Sequence, residues 1–473
     1  MGLAVILGVT LALCGAGVSP ALAANPNAVL VSQSLQPAAH SLQPLNVEPV
    51  WSGHPVGFSL LTHGGRQFVA YYDAQRRMKV AARVLDSNVW DIVELPEQLG
   101  WDSHNYVTMA VDDEGFIHLS GNMHVKPLVY FRTTRPLDIH SFERAPMVGE
   151  KEDRVTYPAF FRGPENALVF TYRDGQSGQG DQIYNVYDQA AKSWRRLIDT
   201  PLTSGQGKMN AYFHGPIKGP DGLFHLCWVW RDNPGCESNH DPCYARSADL
   251  VHWQTAAGNP LDLPITLENA DVVDPVPAGG GIINGNVKLG FDSKNRPIVS
   301  YHKFDAAGKT QIYNARFENG AWKSVQASEW NYRWAFSGGG CIVFEIQIGG
   351  VAPHAPGLLK QTGTHSQYGP FELLLDEETL KPLSMSSPKT APKEPAPGNA
   401  VPRMETRRAS DLGAATEPGI TYSLEWETLP PNRDRPREGD PPPPSMLRVV
   451  KHPKTDYDSV NTKERRPNWP RAE

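Results

Sequence analysis

The chain has 473 residues and carries 45 Lys and Arg against 51 Asp and Glu, for a formal net charge of −6. This balance excludes a general polyanion-binding protein, which would need a basic excess, and leaves room only for a local basic site. The 42 Gly and 42 Pro are typical of many short strands joined by turns. The five Cys are too few for a disulfide-based scaffold of this size.

The first 23 residues have the features of a secretory signal peptide. An uncharged apolar run is followed by Ala21 and Ala23, which form a cleavage site of the A-x-A type. Cys14 follows the bulky Leu13, so a lipid anchor is not expected. No later segment reaches the ~18 apolar residues of a spanning helix. We expect a secreted or periplasmic monomer with no membrane span and no nucleic-acid partner.

Strand patterns repeat along the chain at a spacing of roughly 45–50 residues. Each unit has an apolar strand, a turn such as Asp-x-x-Gly, a second apolar strand, and two further strands that carry Tyr, Phe or Trp. Four strands per unit, with almost no helical periodicity, predict an all-β protein with the β-propeller fold. The units visible in the sequence are 57–90, 107–142, 157–194, 212–253, 287–322 and 358–383.

The two ends of the chain are predicted to supply one more blade. A strand at 47–51 and a late strand at 420–429 would complete a seven-bladed propeller, although six or eight blades also fit. Seventeen of the 42 prolines follow Lys381, which indicates a change of organisation there. The predicted segments are a signal peptide (1–23), the propeller (24–385), a Pro-rich flexible insertion (386–418), a closing strand (419–450) and a disordered tail (451–473).

Two hairpins carry the side chains that best suit catalysis. His104 precedes the first strand of the second unit, and His124 follows its second strand, so both are predicted to face one mouth of the propeller. In the next unit Tyr157 and Arg173 occupy equivalent ends of a hairpin. Arg173 ends an apolar strand, where an unpaired cation is costly, so it needs an acidic partner, which is Asp174, a carboxylate of another blade, or a substrate.

Polar, cationic and aromatic groups recur at the same place in later units. Around one channel mouth they would form a locally positive pocket suited to an acidic sugar, because rings stack on aromatic side chains and a carboxylate binds Arg through two hydrogen bonds. The predicted substrate-binding residues are Asn105, Tyr212, His214, Arg231, His302, Lys303 and Arg333.

A separate cluster of cysteines lies within 17 residues. Cys227, Cys236, His240 and Cys243 could hold a tetrahedral zinc ion that staples a long loop, with His225 or His252 as substitutes for His240. One disulfide and a free thiol are the alternative, since export permits disulfides. We expect stoichiometric structural zinc, which metal analysis of the purified protein would detect, and no redox cofactor.

These residues resemble a known group of secreted propellers. The stretch from Asn239 to Trp253 is similar to the BNR repeat-containing family, and within that family to the ulvan lyases of polysaccharide lyase families 24 and 25. Those lyases carry a His…His pair about 20 residues apart and a Tyr…Arg pair 16 apart, as His104/His124 and Tyr157/Arg173 do here. Tyr212 matches a second tyrosine of the family 25 site. The resemblance also implies a structural zinc.

The resemblance implies β-elimination in a uronic-acid polysaccharide, giving 4,5-unsaturated products. Arg173, with help from a neutral or protonated histidine, would neutralise the substrate carboxylate, and Tyr157 or His104 would remove the C5 proton. Tyr157 could also protonate the leaving O4, and His124 would orient the pair or bind the carboxylate. Tyr157 would need a pKa lowered by Arg173 to act as the base. Two alternatives remain open: a sialidase-like hydrolase using Arg173, Arg231 and Arg333 as a triad, and a propeller that binds glycans without cleaving them.

Overall fold

Short strands joined by side-chain-stabilised turns make up most of the structure. The computed structural model describes residues 43–386, 403–413 and 419–453, so the predicted signal peptide and residues 454–473 lie outside the described residues. One turn recurs: the carboxylate of Asp112 accepts the backbone N–H groups of Glu114 and Phe116, while Gly115 takes a positive φ of 87°. Asp292 builds the same turn in a later sheet. The Asp-x-x-Gly signal therefore marks real hairpin turns.

The strands are numbered in chain order. Those in the first half are β1 (Leu45–Val50), β2 (Ser59–His63), β3 (Arg66–Tyr72), β4 (Arg77–Val84), β5 (Asp91–Gln98), β6 (Val107–Val111), β7 (Ile117–Gly121), β8 (His124–Lys126), β9 (Tyr130–Thr133), β10 (Phe142–Arg144), β11 (Val155–Arg162), β12 (Leu168–Gln176), β13 (Gln179–Asp188), β14 (Ser193–Arg196), β15 (Asn210–Lys218) and β16 (Phe224–Arg231).

The second half continues in the same manner. Its strands are β17 (Asn239–Ser247), β18 (Trp253–Gln254), β19 (Asp271–Val272), β20 (Lys288–Phe291), β21 (Pro297–Phe304), β22 (Thr310–Glu318), β23 (Ala321–Gln326), β24 (Ile346–Ile348), β25 (Ala352–Ala355), β26 (Leu358–His365), β27 (Gly369–Asp376), β28 (Pro382–Ser386), β29 (Glu405–Ser410), β30 (Ile420–Thr428) and β31 (Ser445–Pro453). The helical segments within the described ranges are three-residue 3₁₀ turns at Ile139–Ser141, Pro164–Asn166 and Cys236–Ser238.

These strands form seven sheets, and every pairing between two of the named strands is antiparallel. Six sheets follow one another along the chain and correspond to the six repeat units of the sequence. The strand orders of these six sheets are β2-β3-β4-β5, β6-β7-β9-β10, β8-β11-β12-β13-β14, β15-β16-β17-β18 with β19 on β17, β20-β21-β22-β23, and β24-β26-β27-β28 with β25 on β26. The seventh sheet has the order β1-β31-β30-β29. This arrangement is the β-propeller that the repeats predicted, and the number of blades stays a prediction.

The last sheet joins the two ends of the described chain. β31 lies between β1 and β30, so the N-terminal strand is held by the C-terminal segment. Two predicted boundaries need correction. The 386–418 insertion contains the strand β29, which pairs with β30 along its whole length, and β31 extends three residues into the predicted tail.

The inner strands are buried on both faces, as in β7 and β16, where every residue is buried, because each sheet packs between neighbouring sheets. Aromatic side chains fill much of this core, with Trp228, Trp230, Trp253 and Trp334 fully buried. Such side chains bury large apolar areas and hold adjacent sheets at a fixed distance. Among the described residues, no helix is long and apolar enough to span a membrane.

A candidate active-site pocket

A pocket of about 110 Å³ lies where loops and strand ends from several sheets converge. This volume is smaller than that of most small-molecule sites. The pocket walls are both aromatic and polar. The lining residues are His104, His124, Tyr157, Ser177, Tyr212, Arg231, Pro234, Cys236, Ile283, Asn284, Gly340, Ile342 and Phe344.

Asp102 holds the two predicted histidines together. One carboxylate oxygen lies 2.6 Å from Nδ1 of His104, and the other is hydrogen-bonded to Nδ1 of His124. The two imidazole rings stack with centroids 4.2 Å apart. Because Asp102 occupies both Nδ1 atoms, each Nε2 points away from Asp102, and Nε2 of His104 lies 3.7 Å from Sγ of Cys341.

The two histidines differ in their affinity for a proton. Burial lowers the pKa of His104, but the neighbouring Cys341, Tyr157 and Asp102 outweigh burial and raise it well above its ordinary value. The pKa of His124 is lowered, by burial first and then by the nearby His104 and Arg173, against the opposing effect of Asp102. Of the two rings, His104 is therefore the one that holds a second proton more readily.

Tyr157 reaches the pocket from a β-bulge in β11. The register between β11 and β12 shifts between Thr156 and Ala159, and Tyr157 has a φ of 58°. A bulge redirects a side chain, and a left-handed conformation at an aromatic residue stores about 1–3 kcal/mol of strain. The Tyr157 ring meets the His104 ring edge-on at a centroid distance of 5.6 Å.

Arg173 is a buried cation next to this pair. Its side chain comes from β12 and is only 2% exposed, and its guanidinium lies 5.0 Å from the Tyr157 ring centroid. Nη1 donates to the Tyr212 hydroxyl at 3.3 Å, while Nε and Nη2 have no hydrogen-bond partner among the described residues. An unsatisfied buried guanidinium is costly unless an anion binds it.

Tyr212 lies between two guanidinium groups. Arg173 and Arg231 are 5.7 Å and 5.3 Å from its ring centroid, and its hydroxyl donates to Ser177 at 2.8 Å. Burial raises the pKa of Tyr212, but Arg173, Arg231 and Ser177 outweigh burial and lower the pKa to about 8.

The sequence predicts a lowered pKa for Tyr157, but the structure gives it a raised one. Burial raises the pKa of Tyr157, and the opposing charges of His104 and Arg173 do not offset it. The tyrosine with the lowered pKa is Tyr212, because it has two arginine neighbours where Tyr157 has one.

Several predicted substrate-binding residues lie outside the pocket wall. Buried Asn105 serves the fold through its carbonyl, which accepts from Tyr72, and His214 accepts the N–H of Leu289. His302 is buried against Trp334, and Lys303 is paired with Asp274 at 2.6 Å. Exposed Arg333 packs on Phe304 and donates to Gly308. Of that set, Tyr212 and Arg231 line the pocket.

The proposed zinc ligands are not brought together. Cys227, Cys236 and Cys243 belong to three different core clusters, because Cys227 pairs with Tyr244 and Cys243 with Trp228, which places the two thiols on opposite faces of one sheet. His240 lies between Asp232 and Asp241. This four-residue set does not fit one ion, and zinc content itself stays a prediction. The four described cysteines are free thiols, so the alternative disulfide is not formed either.

Other donor sets do occur at the pocket. Ligand atoms of Asp102, His104 and His124, and those of His104, Cys341 and Asp434, lie within 4.8 Å of one another. Both carboxylates already accept hydrogen bonds: Asp102 from the two imidazoles, and Asp434 from Ser103 and from the N–H of Cys341. These contacts explain the clustering without an ion.

Four residues of the site escaped the sequence-based prediction: Asp102, Ser177, Cys341 and Asp434. Asp102 was detectable, because it stands two residues before His104 in the same polar segment. Asp434 was not, since 331 residues separate it from Ser103, whose N–H it accepts at 3.0 Å.

Comparisons with known proteins agree with this architecture. The chain matches the BNR repeat-containing family over residues 66–330, more than half its length. No curated protein matches.

Solved structures share the fold. One described as polysaccharide lyase Uly1 has a TM-score of 0.59 at 13% identity, covering 88% of this chain and 100% of its own. A PL25 ulvan lyase has a TM-score of 0.55 at 13% identity, covering 89% and 99%. A second PL25 structure, bound to -[GlcA(1-4)Rha3S]-, has a TM-score of 0.54. With the sheet order and the match over 66–330, the chain belongs to the BNR repeat-containing family of β-propeller proteins.

Proposed function

We propose that this protein is a secreted polysaccharide lyase that cleaves a uronic-acid-containing, ulvan-like polysaccharide by β-elimination. The observation that carries the proposal is the buried Arg173, with two unsatisfied nitrogens beside two tyrosines and a histidine of raised pKa. A uronate carboxylate is an anion that would satisfy this guanidinium through two hydrogen bonds. The similar folds of polysaccharide lyases support the same class of reaction.

Charge neutralisation is the first requirement of this chemistry. The C5 proton of a uronate is weakly acidic because the adjacent carboxylate is already negative. Arg173 and a protonated His104 would offset that charge and stabilise the aci-carboxylate intermediate. Asp102 would keep the two imidazoles aligned, with neutral His124 orienting the substrate edge.

Proton transfer then needs one base and one acid. Tyr212, with its pKa near 8, is the better base for the C5 proton. Tyr157, whose pKa is raised, keeps its proton and would deliver it to O4 as the C4–O4 bond breaks and the C4=C5 double bond forms. Tyrosines held in these opposite states supply both roles at one pH.

The hydrolase alternative requires three arginines at one site. Arg231 lines the pocket, and Arg173 lies buried beside Tyr157 and Tyr212 without being a lining residue. Arg333 is exposed on another loop, where it donates to Gly308, so it does not join the other two. A non-catalytic glycan-binding propeller remains the competing account of the same pocket, and only product formation separates it from a lyase.

The test is a panel of uronic-acid polysaccharides (ulvan, pectins, glycosaminoglycans and alginate) followed by ultraviolet absorbance of unsaturated products. We expect one of them to give absorbance, and Tyr157→Phe and Arg173→Ala each to lower turnover by at least ~10²-fold. The matched controls are Tyr187→Phe, at a buried tyrosine whose hydroxyl has no partner among the described residues, and Arg333→Ala. Glycan binding without absorbance, or full activity of Tyr157→Phe, contradicts the assignment.

A further inference from the structure

A thiol that the proposed elimination does not use lies against the pocket. Sγ of Cys341 is 3.7 Å from Nε2 of His104, and Nδ1 of the same ring is 2.6 Å from Asp102. The Ser103 hydroxyl lies 2.9 Å from the sulfur. Cysteine, imidazole and carboxylate in this order are the arrangement in which a histidine takes up a thiol proton and a carboxylate stabilises the resulting imidazolium.

The loop that carries this thiol is held in place from both sides. The N–H of Cys341 donates to Asp434 at 2.9 Å, and its carbonyl accepts from the N–H of Arg433 at 2.9 Å. Gly340, with a φ of 76°, packs so closely that a Cβ there would lie 2.5 Å from the Arg433 carbonyl oxygen. The thiol therefore has a fixed position relative to His104.

The sulfur lies directly behind the pocket wall. His104, Gly340 and Ile342 line the cavity and Cys341 does not, so a small reagent would reach the sulfur by passing its imidazole partner and the two residues that flank it. Cys236 lines the same wall, and the two cysteines have similar exposures of 5% for Cys341 and 3% for Cys236. They differ in their neighbours, because Cys341 has the imidazole contact.

We propose that Cys341 is a nucleophilic thiol, activated by the His104–Asp102 pair, and that small electrophiles and hydroperoxides entering the pocket modify it. The raised pKa of His104 agrees with this pairing, since a ring with that pKa retains a transferred proton. A thiol in contact with an imidazole and a hydroxyl is expected to be more reactive than a buried thiol in purely apolar surroundings.

The oxidation step balances with a hydroperoxide as the oxidant. The sulfur attacks one peroxide oxygen, so that an S–O bond forms while the O–O bond breaks. The thiol proton passes through His104 to the leaving oxygen, and the products are a sulfenic acid at Cys341 and water or an alcohol. The new oxygen would lie next to Nε2 of His104, the cation proposed to face the substrate carboxylate.

The thiol chemistry stands without the lyase proposal, and only the loss of activity rests on that proposed function. In the first experiment the full chain is treated with limiting iodoacetamide, and alkylated peptides are quantified by mass spectrometry. We expect Cys341 to react at least ~10-fold faster than Cys236, which controls for access to the pocket. Equal or slower labelling of Cys341 overturns the proposal without any variant being made.

The second experiment tests the role of the imidazole. In His104→Gln, we expect labelling of Cys341 to fall at least ~10-fold while labelling of Cys236 is unchanged. An unchanged rate at Cys341 in a variant with the wild-type thermal unfolding curve contradicts the dyad. If that variant unfolds, the wild-type comparison of the two cysteines still decides.

The third experiment measures regulation. Hydrogen peroxide should reduce turnover of the wild-type protein, and dithiothreitol should restore it. In Cys341→Ser, turnover after peroxide treatment should equal the turnover of the same variant without peroxide. Peroxide inhibition that persists in Cys341→Ser overturns the regulatory consequence. If no polysaccharide is cleaved at all, the lyase proposal fails and the labelling results still stand.

Discussion

At the residue scale, two tyrosines that meet at one pocket have opposite acidities. Their ring centroids are 5.9 Å apart, yet burial dominates at Tyr157, while two guanidinium groups dominate at Tyr212. A phenol that remains protonated beside one that ionises near neutral pH is the separation that acid–base chemistry requires. In the proposed mechanism, the arginines would thus also determine which tyrosine acts as the base.

This separation predicts a particular pH dependence. A base with a pKa near 8 is increasingly protonated below that pH, so kcat/KM should rise by about tenfold per pH unit up to pH 8 and then level. Tyr212→Phe should lower turnover by at least ~10²-fold and remove this rising limb. The measurement is the pH profile of product absorbance, with Tyr187→Phe as the control. A rising limb retained in Tyr212→Phe assigns the base elsewhere.

Sequence reasoning succeeded at this scale where the signal was local. The His104/His124 and Tyr157/Arg173 pairs each span one hairpin, so strand ends alone predict that their members approach each other. The lowered pKa of Tyr212 depends on Arg231 of its own hairpin and also on Arg173, which comes from a different sheet. Hairpin spacing carries no information on the contact with Arg173.

At the scale of the strands, the pocket depends on irregular backbone. β8 is a three-residue strand that follows β7 in the chain but pairs with β11 of the next sheet. The register between β8 and β11 also shifts. Val125 within it has a φ of 54°, a conformation that β-branched residues strongly disfavour. Val125 and Tyr157 thus both hold left-handed conformations next to the catalytic candidates, and such strain is typical of functional sites.

Relief of this strain should be measurable at Val125. Asn tolerates a left-handed conformation, so Val125→Asn should raise the free energy of unfolding by about 1 kcal/mol. Denaturant unfolding is the measurement. The matched control is Val84→Asn, at an exposed valine in the extended strand β4, where no gain is expected. Equal effects of the two substitutions would contradict the strain argument.

The misplaced zinc set shows where spacing fails at this scale. Four candidate ligands within 17 residues suggest proximity, but successive side chains of a strand point to opposite faces. Cys227 and Cys243 lie on adjacent strands β16 and β17 in registers that separate them. Register cannot be read from ligand spacing, because it depends on which residues of the partner strand are buried.

At the scale of the whole molecule, the stability of the fold depends on the sheet that joins the two ends of the described chain, β1-β31-β30-β29. β31 lies between β1 and β30, so its loss would leave both without a hydrogen-bonded neighbour on that side. The repeat units predicted six of the seven sheets, and the two chain ends were expected to share the last one. The strand β29 was missed because its segment, rich in Arg and Glu, lacks an apolar run.

Truncation tests this closure. A chain ending at residue 444 lacks β31 and should unfold with a Tm lower by at least ~10 °C, or without a cooperative transition. A chain ending at residue 453 keeps every described strand and should match the full-length Tm. Thermal unfolding followed by circular dichroism is the measurement, and identical curves for the two truncated chains would contradict this role for β31.

The turn formed by Arg433 and Asp434 has a consequence for biosynthesis. It follows β30, yet it holds Ser103 and Cys341, which are made far earlier. The ribosome therefore synthesises His104, His124, Tyr157 and Arg173 long before it adds Arg433 and Asp434, which hold the neighbouring residues Ser103 and Cys341. The pocket is complete only after translation has passed residue 434, so an unfinished chain carries the chemical groups of the site without a working arrangement of them.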